Sequence, residues 1–222
     1  MQIIEHVHHI PDVACNTYLI LEADGLTLVD TGLPGSAPKI LAFMAGLGKS
    51  PRDLKRILIT HSDWDHIGSL RPLKKATGAR TFASELEARA MAEGRSSRPV
   101  KLSSSTPFIR KVVRFFFRPP HFQVDEILKD GRMLPILGGL QVLDTPGHCP
   151  GHISLFAASR SILFCGDSMV TEGDKILGSR PIYTWDADIA QASVKKQAAL
   201  GARILCSGHG PVIMDAAGKF PL

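Results

Sequence analysis

Short apolar runs, set apart by turn-forming residues, recur along most of the chain. Where apolar and polar residues alternate, or apolar residues follow one another briefly, the pattern is typical of β-strands. The predicted strands are residues 3–10, 16–22, 26–30, 56–60, 80–83, 140–143, 153–157, 161–165 and 203–206. Apolar residues recur at helical spacing in between, and the predicted helices are residues 36–47, 70–75, 84–93 and 186–200. This alternation predicts an α/β fold.

Polar residues at the ends of these segments predict turns and helix caps. Asp24-Gly25 lies between the second and third strands and predicts a hairpin turn. Ser36 and Ser84 begin two of the helical patterns, so each is a candidate N-cap. Asp186 or Asp188 is the candidate cap of the last helix.

The length of 222 residues suits one sizeable domain or two small ones, and no linker-like stretch divides the chain. We therefore expect a single domain over residues 1–222. The N-terminus lacks the layout of a signal peptide, and no apolar run approaches the ~20 residues that span a bilayer. Four widely spaced cysteines form no CxxC pair, which argues against a disulfide framework or a structural zinc knuckle. These features predict a cytoplasmic protein.

Residues 94–122, called the basic insertion below, interrupt the alternation of strands and helices. The segment is rich in arginine and phenylalanine and contains no carboxylate, against a net charge of only +5 for the whole chain. We consider a lid over an active site, a contact between two subunits of a homodimer, and a helix on a membrane surface over residues 107–118. The first two are favoured. No nucleic acid is expected, since no recognisable binding module accompanies the charge.

Four side chains that bind metals or transfer protons lie within six residues, directly after a predicted strand. They are His61, Asp63, Asp65 and His66. Imidazole and carboxylate groups together suit zinc, iron or manganese. The alternative is a polar helix N-terminus, since serine and aspartate are good capping residues.

Ligand-type side chains also follow other predicted strands. They are Asp30 in Val-Asp-Thr-Gly, His148 in Thr-Pro-Gly-His, Asp167 in Gly-Asp and His209 in Gly-His-Gly. Any one alone is ordinary, and Asp30 could simply form a turn. Ligand sites in α/β sheets lie at the carboxyl ends of strands, and glycine lets the backbone approach closely. Several such ends in one chain strengthen the metal-site interpretation.

The order and spacing of these motifs resemble the metallo-β-lactamase-fold hydrolases, from about residue 15 to residue 213. The resemblance implies a four-layer αββα sandwich with two divalent metal ions, zinc first of all, at one edge of the sheets. The implied ligands are His61, Asp63 and His148 for the first ion, Asp65, His66 and His209 for the second, and Asp167 bridging both. Asp30 matches the aspartate that supports the metal loops by hydrogen bonding.

The chain departs from the family pattern His-x-His-x-Asp-His at Asp63, where the family has its second histidine. A carboxylate is a harder ligand than imidazole, so the first site should become less selective for zinc and can suit iron or manganese. The extra negative charge should also weaken the Lewis acidity felt by the bound water. Flavodiiron oxygen reductases, which are similar, carry an acidic residue at this position and hold iron.

The resemblance implies hydrolysis by a metal-bound hydroxide that attacks an ester, a lactone or a related carbonyl substrate. Asp65 is the candidate catalytic residue, because it can orient the water and accept its proton. We expect a small-molecule substrate, with the basic insertion as specificity element. The chain ends soon after its last ligand, so we expect no C-terminal helical domain of the glyoxalase II type. Two alternatives stay open: an iron-dependent oxidoreductase such as a sulfur dioxygenase, and a non-enzymatic membrane- or partner-binding protein.

Several other residues are not predicted to bind metal ions. His6 and His8 are expected at the surface, and His152 is expected to have a structural or supporting role. Cys149 follows a predicted ligand and is either a small loop residue, which we favour, or a thiolate close to the metals. Tyr183 lines a pocket or packs in the interior.

Overall fold

The fold is that of a computed structural model, and the structure describes residues 1–11, 13–98 and 121–222. Most of the basic insertion lies outside these ranges, including residues 107–118, for which membrane contact was considered. Among the described residues, no helix is long and apolar enough to cross a membrane.

The first half of the chain forms a seven-stranded sheet in sequence order. Its strands are β1 (Gln2–Ile4), β2 (Val7–Ile10), β3 (Thr17–Glu22), β4 (Gly25–Val29), β5 (Leu54–Leu58), β6 (Arg80–Ser84) and β7 (Glu126–Leu128). Strands β1 to β4 are antiparallel, and β4 to β7 run parallel. The parallel strands therefore bring their carboxyl ends, and the residues that follow, to one edge of the sheet.

The second half forms a five-stranded sheet and a separate hairpin. Its strands are β8 (Met133–Leu134), β9 (Leu140–Asp144), β10 (Ile153–Ala157), β11 (Ile162–Gly166), β12 (Met169–Glu172), β13 (Lys175–Gly178) and β14 (Ile204–Ser207). The sheet has the order β14-β11-β10-β9-β8, and β12 pairs with β13. Because β11 and β14 are parallel, their carboxyl ends also lie at one edge.

Helices cover the outer faces of the two sheets. They are α1 (Ala37–Gly46), α2 (Trp64–Ile67), α3 (Leu70–Thr77), α4 (Glu85–Ala92) and α5 (Ala187–Ala198). Ile40 of α1 and Leu73 of α3 belong to a buried cluster with strands of the first sheet, and Val194 of α5 belongs to one with strands of the second. A third cluster fills the space between the sheets, where the rings of Tyr18 and Phe164 lie 5.3 Å apart. Burying each such large side chain contributes about 1.5–3 kcal/mol. The predicted four-layer αββα sandwich is confirmed.

The prediction of one strand over residues 3–10 is wrong. The segment forms two strands, because His6 takes a left-handed conformation (φ 66°) and turns the chain back on itself. The surface position expected for His8 is also wrong, since its side chain is buried and its ring lies 6.0 Å from that of Phe43. His6 itself is exposed, as expected.

The helix caps follow the predictions in two of three cases. Ser84 Oγ accepts a hydrogen bond from Glu87 N, and the Asp186 carboxylate accepts one from Ile189 N. Ser36 has a helical backbone and makes no side-chain cap, so that prediction is wrong. Ser69, which is distant in sequence, caps the helix instead. Its Oγ accepts hydrogen bonds from the backbone N of Ser36 at 2.9 Å and of Ala37 at 3.1 Å.

Candidate metal centre

All seven side chains predicted as metal ligands lie together beyond the carboxyl ends of four strands. The loop after β5 provides His61 and Asp63, the short helix α2 that follows provides Asp65 and His66, and the segments after β9, β11 and β14 provide one each. Their nitrogen and oxygen atoms form three overlapping groups of possible ligands, each with all its atoms within 4.8 Å of one another. The groups are His61, Asp63 and His148; Asp65, His66 and His209; and His61, His66 and Asp167.

The first group is centred on one oxygen of Asp63. Asp63 Oδ2 lies 3.2 Å from His148 Nε2 and 3.8 Å from His61 Nε2. His148 is oriented by Ser179, whose Oγ lies 3.0 Å from the other ring nitrogen, Nδ1. Asp63 Oδ2 is therefore a possible third donor beside these two histidines.

The second group is centred on one oxygen of Asp65. Asp65 Oδ2 lies 3.2 Å from His209 Nε2 and 4.0 Å from His66 Nε2. Asp167 lies between the two groups: its Oδ1 is 3.4 Å from His66 Nε2, and its Oδ2 is 3.4 Å from His209 Nε2 and 3.8 Å from His148 Nε2. This position is the one required of a bridging carboxylate.

Unpaired polar atoms show that the centre fits metal ions. Among the described residues, His61 Nε2, His66 Nε2 and Asp167 Oδ1 are three of four buried side-chain polar atoms without a hydrogen-bond partner. Leaving such atoms unpaired costs free energy unless another group binds them. Gly208 keeps the space open, because a Cβ there would lie 2.1 Å from Asp167 Oδ1. Imidazole and carboxylate donors with this arrangement suit zinc, iron or manganese.

Asp30 orients both histidines of the β5 loop through one buried carboxylate. Its Oδ2 lies 2.9 Å from His66 Nδ1 and accepts a hydrogen bond from Thr60 Oγ1 at 2.8 Å. Thr60 Oγ1 in turn lies 3.0 Å from His61 Nδ1. With their Nδ1 atoms so occupied, both imidazoles turn Nε2 towards the centre. Asp30 itself has φ 58°, a left-handed conformation that aspartate tolerates better than most residues.

Comparison with known proteins identifies the family. The profile described as the metallo-beta-lactamase superfamily matches residues 10–209. The chain belongs to the metallo-β-lactamase superfamily. It is 26% identical over 223 residues to a probable metallo-hydrolase of Bacillus subtilis, a match that covers 92% of this chain and 83% of that protein. It is also 32% identical over 141 residues to a hydroxyacylglutathione hydrolase of Ectopseudomonas mendocina, covering 63% of this chain and 42% of that enzyme.

Solved structures of this superfamily have the same fold. A subclass B3 metallo-beta-lactamase of Bradyrhizobium japonicum superposes with a TM-score of 0.70 at 26% identity, covering 94% of this chain and 76% of that one. A metallo-beta-lactamase of Cronobacter sakazakii gives a TM-score of 0.73 at 25% identity, covering 95% and 77%. Superfamily members depend on metal ions, typically zinc, which agrees with the His and Asp groups found here.

The electrostatics of the centre couple metal binding to proton release. Burial lowers the pKa of His61 well below its ordinary value, so this imidazole is neutral. Burial also opposes a charge on His209, but hydrogen bonds to Asp167 and Asp65 raise its pKa to about 9. A metal ion that bound through His209 at neutral pH would therefore have to displace this proton, and such binding would weaken as the pH falls.

Sequence reasoning missed two residues that hold Asp63 in place. Ser96 Oγ donates to Asp63 Oδ1 at 2.8 Å, and Arg98 Nη2 donates to Asp63 Oδ2 at 2.6 Å. Burial alone would raise the pKa of Asp63, but His148, His61 and Arg98 together lower it well below its ordinary value. The carboxylate is therefore ionised whether or not a metal is bound.

Sequence reasoning also missed Glu87, a fully buried carboxylate beneath the centre. It accepts hydrogen bonds from Ser62 N at 2.8 Å, Gly151 N at 3.1 Å, Cys149 Sγ at 3.3 Å and Ser97 Oγ. Ser62 follows the predicted ligand His61, Cys149 and Gly151 follow the predicted ligand His148, and Ser97 precedes Arg98. Burial raises the pKa of the Cys149 thiol well above its ordinary value, which supports the loop-residue interpretation over the thiolate.

His152 has the supporting role expected of it. Its Nε2 accepts a hydrogen bond from the backbone N of Asp167 at 3.0 Å, and its Nδ1 lies 2.9 Å from Thr145 Oγ1. Burial lowers the pKa of His152 to about 3, so the ring is neutral and able to accept this bond. Tyr183 is exposed rather than packed in the interior.

We expect Asp30→Asn to weaken metal binding by roughly 10–100-fold, the usual effect of losing a residue that orients metal ligands. Asparagine tolerates the left-handed backbone, so the loss should come from the missing carboxylate charge. Zinc affinity by chelator competition measures the effect. Asp24→Asn is the matched control, since Asp24 lies at the other end of the β3–β4 hairpin and pairs with Arg56 at the surface. Equal affinities for the two variants would contradict this role of Asp30.

Asp63→Ala is expected to lower the metal content of the protein, because it removes the carboxylate at the centre of the first group. The site would keep His61, His148 and the shared Asp167 but would lose the carboxylate that lies close to both histidines. Metal analysis of the purified variant measures the effect. Full occupancy would remove Asp63 from the set of ligands.

Proposed function

We propose that this chain is a metal-dependent hydrolase of esters, lactones or related carbonyl substrates. The observation that carries the proposal is the convergence of three unpaired buried atoms, His61 Nε2, His66 Nε2 and Asp167 Oδ1, on one centre. His61, Asp63 and His148 would hold one metal ion; Asp65, His66 and His209 would hold the other; Asp167 would touch both. Zinc is the first expectation, with iron or manganese as alternatives because of Asp63.

When bound, such metals lower the pKa of water and polarise a carbonyl oxygen. The side chains of this protein would hold the ligand atoms in position and accept a proton from the attacking water. Asp65 suits the second task, because 33% of its side chain is exposed, against 13% for Asp63 and 11% for Asp167. Among these carboxylates, Asp65 is the one most open to an incoming water, and it would accept the proton of that water as general base.

Small-molecule hydrolysis is supported by the named relatives. They include a probable metallo-hydrolase and several hydroxyacylglutathione hydrolases, although the match covers only 42% of the first of these enzymes. Near the centre, the guanidinium of Arg98 lies 5.4 Å from the ring of the exposed Tyr183. A cationic and an aromatic group there suit a substrate with an anionic or carbonyl group and an apolar part. Lactones and small esters are therefore our first candidates.

The test is a panel of esters, lactones, β-lactams and hydroxyacylglutathione, assayed with the protein as purified. We expect turnover of at least one class, its loss after treatment with a chelator, and its return when zinc is added. Iron in the protein together with oxygen consumption on a persulfide would instead indicate an oxidoreductase. Vesicle binding without any metal-dependent turnover would indicate a non-enzymatic role.

A further inference from the structure

Arg98 is held in a fixed position against the first group of ligands. Its Nη2 donates to Asp63 Oδ2 at 2.6 Å, its Nη1 donates to the carbonyl oxygen of Tyr183, and its guanidinium lies 5.4 Å from the Tyr183 ring. The backbone N of Arg98 also donates to Ser96 Oγ at 3.2 Å. Only 19% of the side chain is exposed, so this cation is not a freely moving surface group.

The oxygen that Arg98 contacts also faces the histidines of the first group. Asp63 Oδ2 lies 3.2 Å from His148 Nε2 and 3.8 Å from His61 Nε2. A cation bound by this group would therefore share Asp63 with the guanidinium. Two positive charges at such short separation repel each other even in a partly polar environment.

The charges of Asp63 and Arg98 cancel. The superfamily pattern has a neutral imidazole at the position of Asp63, and the substitution adds one negative charge. Arginine stays protonated at any physiological pH and therefore adds one positive charge. The pair as a whole has the net charge of the imidazole that it replaces.

We propose that Arg98 compensates the charge of Asp63, so that the two residues together replace the second histidine and set the metal affinity of the first site. The proposal rests on the two-metal centre of the proposed function. It predicts that Arg98 lowers the affinity of the first site for a divalent cation. It also predicts that a metal ion in the first site would keep more of its Lewis acidity than it would beside Asp63 without the arginine.

The experiment is a titration of metal-free protein with Zn²⁺, followed by calorimetry or chelator competition. The binding step that disappears in Asp63→Ala is assigned to the first site. For that step, we expect Arg98→Met to bind roughly tenfold more tightly than the wild type, because a repelling charge is removed. Arg98→Lys retains the charge and is expected to bind within about threefold of the wild type.

A single and a double variant distinguish charge compensation from an effect of side-chain packing on metal affinity. Asp63→His alone places an imidazole beside an unpaired guanidinium and is expected to weaken the first step by about tenfold or more. The double variant Asp63→His with Arg98→Met restores the family's charge and is expected to return to within about threefold of the wild type. Arg89→Met is the control for loss of an arginine, since Arg89 pairs with Glu85 at the surface. Thermal unfolding of each metal-free variant checks that it is folded.

The outcomes distinguish this inference from the proposed function. A wild-type protein that binds no zinc overturns both. A wild-type protein that binds two zinc ions, with an unchanged or weaker first step in Arg98→Met, overturns only the role of Arg98. A double variant that stays about tenfold or more weaker than the wild type also overturns it, because loss of the guanidinium then fails to offset loss of the carboxylate.

Discussion

Asp167→Asn is expected to remove at least one metal ion per chain and to lower kcat/KM by at least about 10³-fold. Asp167 approaches His66, His209 and His148, which belong to different groups of ligands, so its charge stabilises both sites. Asparagine has nearly the same shape, so the loss reports the carboxylate itself: its charge and the second donor oxygen, which the amide replaces with an NH2 group. Removing one partner from a buried ionic network costs about 3–5 kcal/mol, which corresponds to about 10²–10⁴-fold in affinity. Elemental analysis and steady-state kinetics on the same preparation measure the two effects.

Asp174→Asn is the matched control for this variant. Asp174 also accepts from a cationic side chain, Lys219 at 2.8 Å, but it is 80% exposed and lies in the turn of the β12–β13 hairpin. Surface pairs of this kind contribute little, so metal content and rate should equal those of the wild type. If Asp167→Asn retained both metal ions, Asp167 would not be the bridging ligand.

Glu87→Leu is expected to lower the free energy of unfolding by about 3–5 kcal/mol, although Glu87 contacts none of the predicted ligand side chains. Leucine has a similar volume but accepts no hydrogen bond. Ser62 N, Gly151 N, Cys149 Sγ and Ser97 Oγ would therefore lose their common acceptor inside the protein. Urea unfolding of the metal-free protein measures the effect without interference from metal binding.

The control for Glu87 lies on the same helix. Glu85→Gln changes an exposed carboxylate whose ion pair among the described residues is with Arg89 in the following turn, and the unfolding free energy should be nearly unchanged. Activity adds a second readout. If the Glu87 variant is folded at low temperature, its kcat should still fall, because the loops beside His61 and His148 lose their shared anchor. A stable and fully active Glu87→Leu protein would contradict this role.

The fold and most of the candidate centre could be predicted because the relevant signals are local. The predicted ligands follow apolar strands within a few residues, so His148 and His209 stand out without knowledge of the tertiary structure. The hairpin of β12 and β13 was missed, although Gly173-Asp174 at its turn was a usable signal. The turn at His6 had no such signal, since no glycine, asparagine, aspartate or proline lies within residues 3–10.

The residues that support the centre could not be predicted because their partners are distant in sequence. Arg98 lies 35 residues from Asp63, and Glu87 lies 62 residues from Cys149. The pattern Ser84-x-x-Glu87 correctly predicts a capped helix, but it also conceals the role of Glu87. Its carboxylate accepts hydrogen bonds from Ser62 N and Gly151 N, in the segments beside His61 and His148. At Ser84 the local sequence pattern predicts the hydrogen bond that the structure shows, whereas at Glu87 it does not.

We expect the two groups of ligands, joined by Asp167, to hold metal ions. Elemental analysis of the protein purified without added metal, repeated after dialysis against zinc, measures this occupancy. We expect about two equivalents of divalent metal per chain after dialysis, as in other two-metal hydrolytic sites. Less than about 0.1 equivalent in both preparations, from folded protein, would contradict the account.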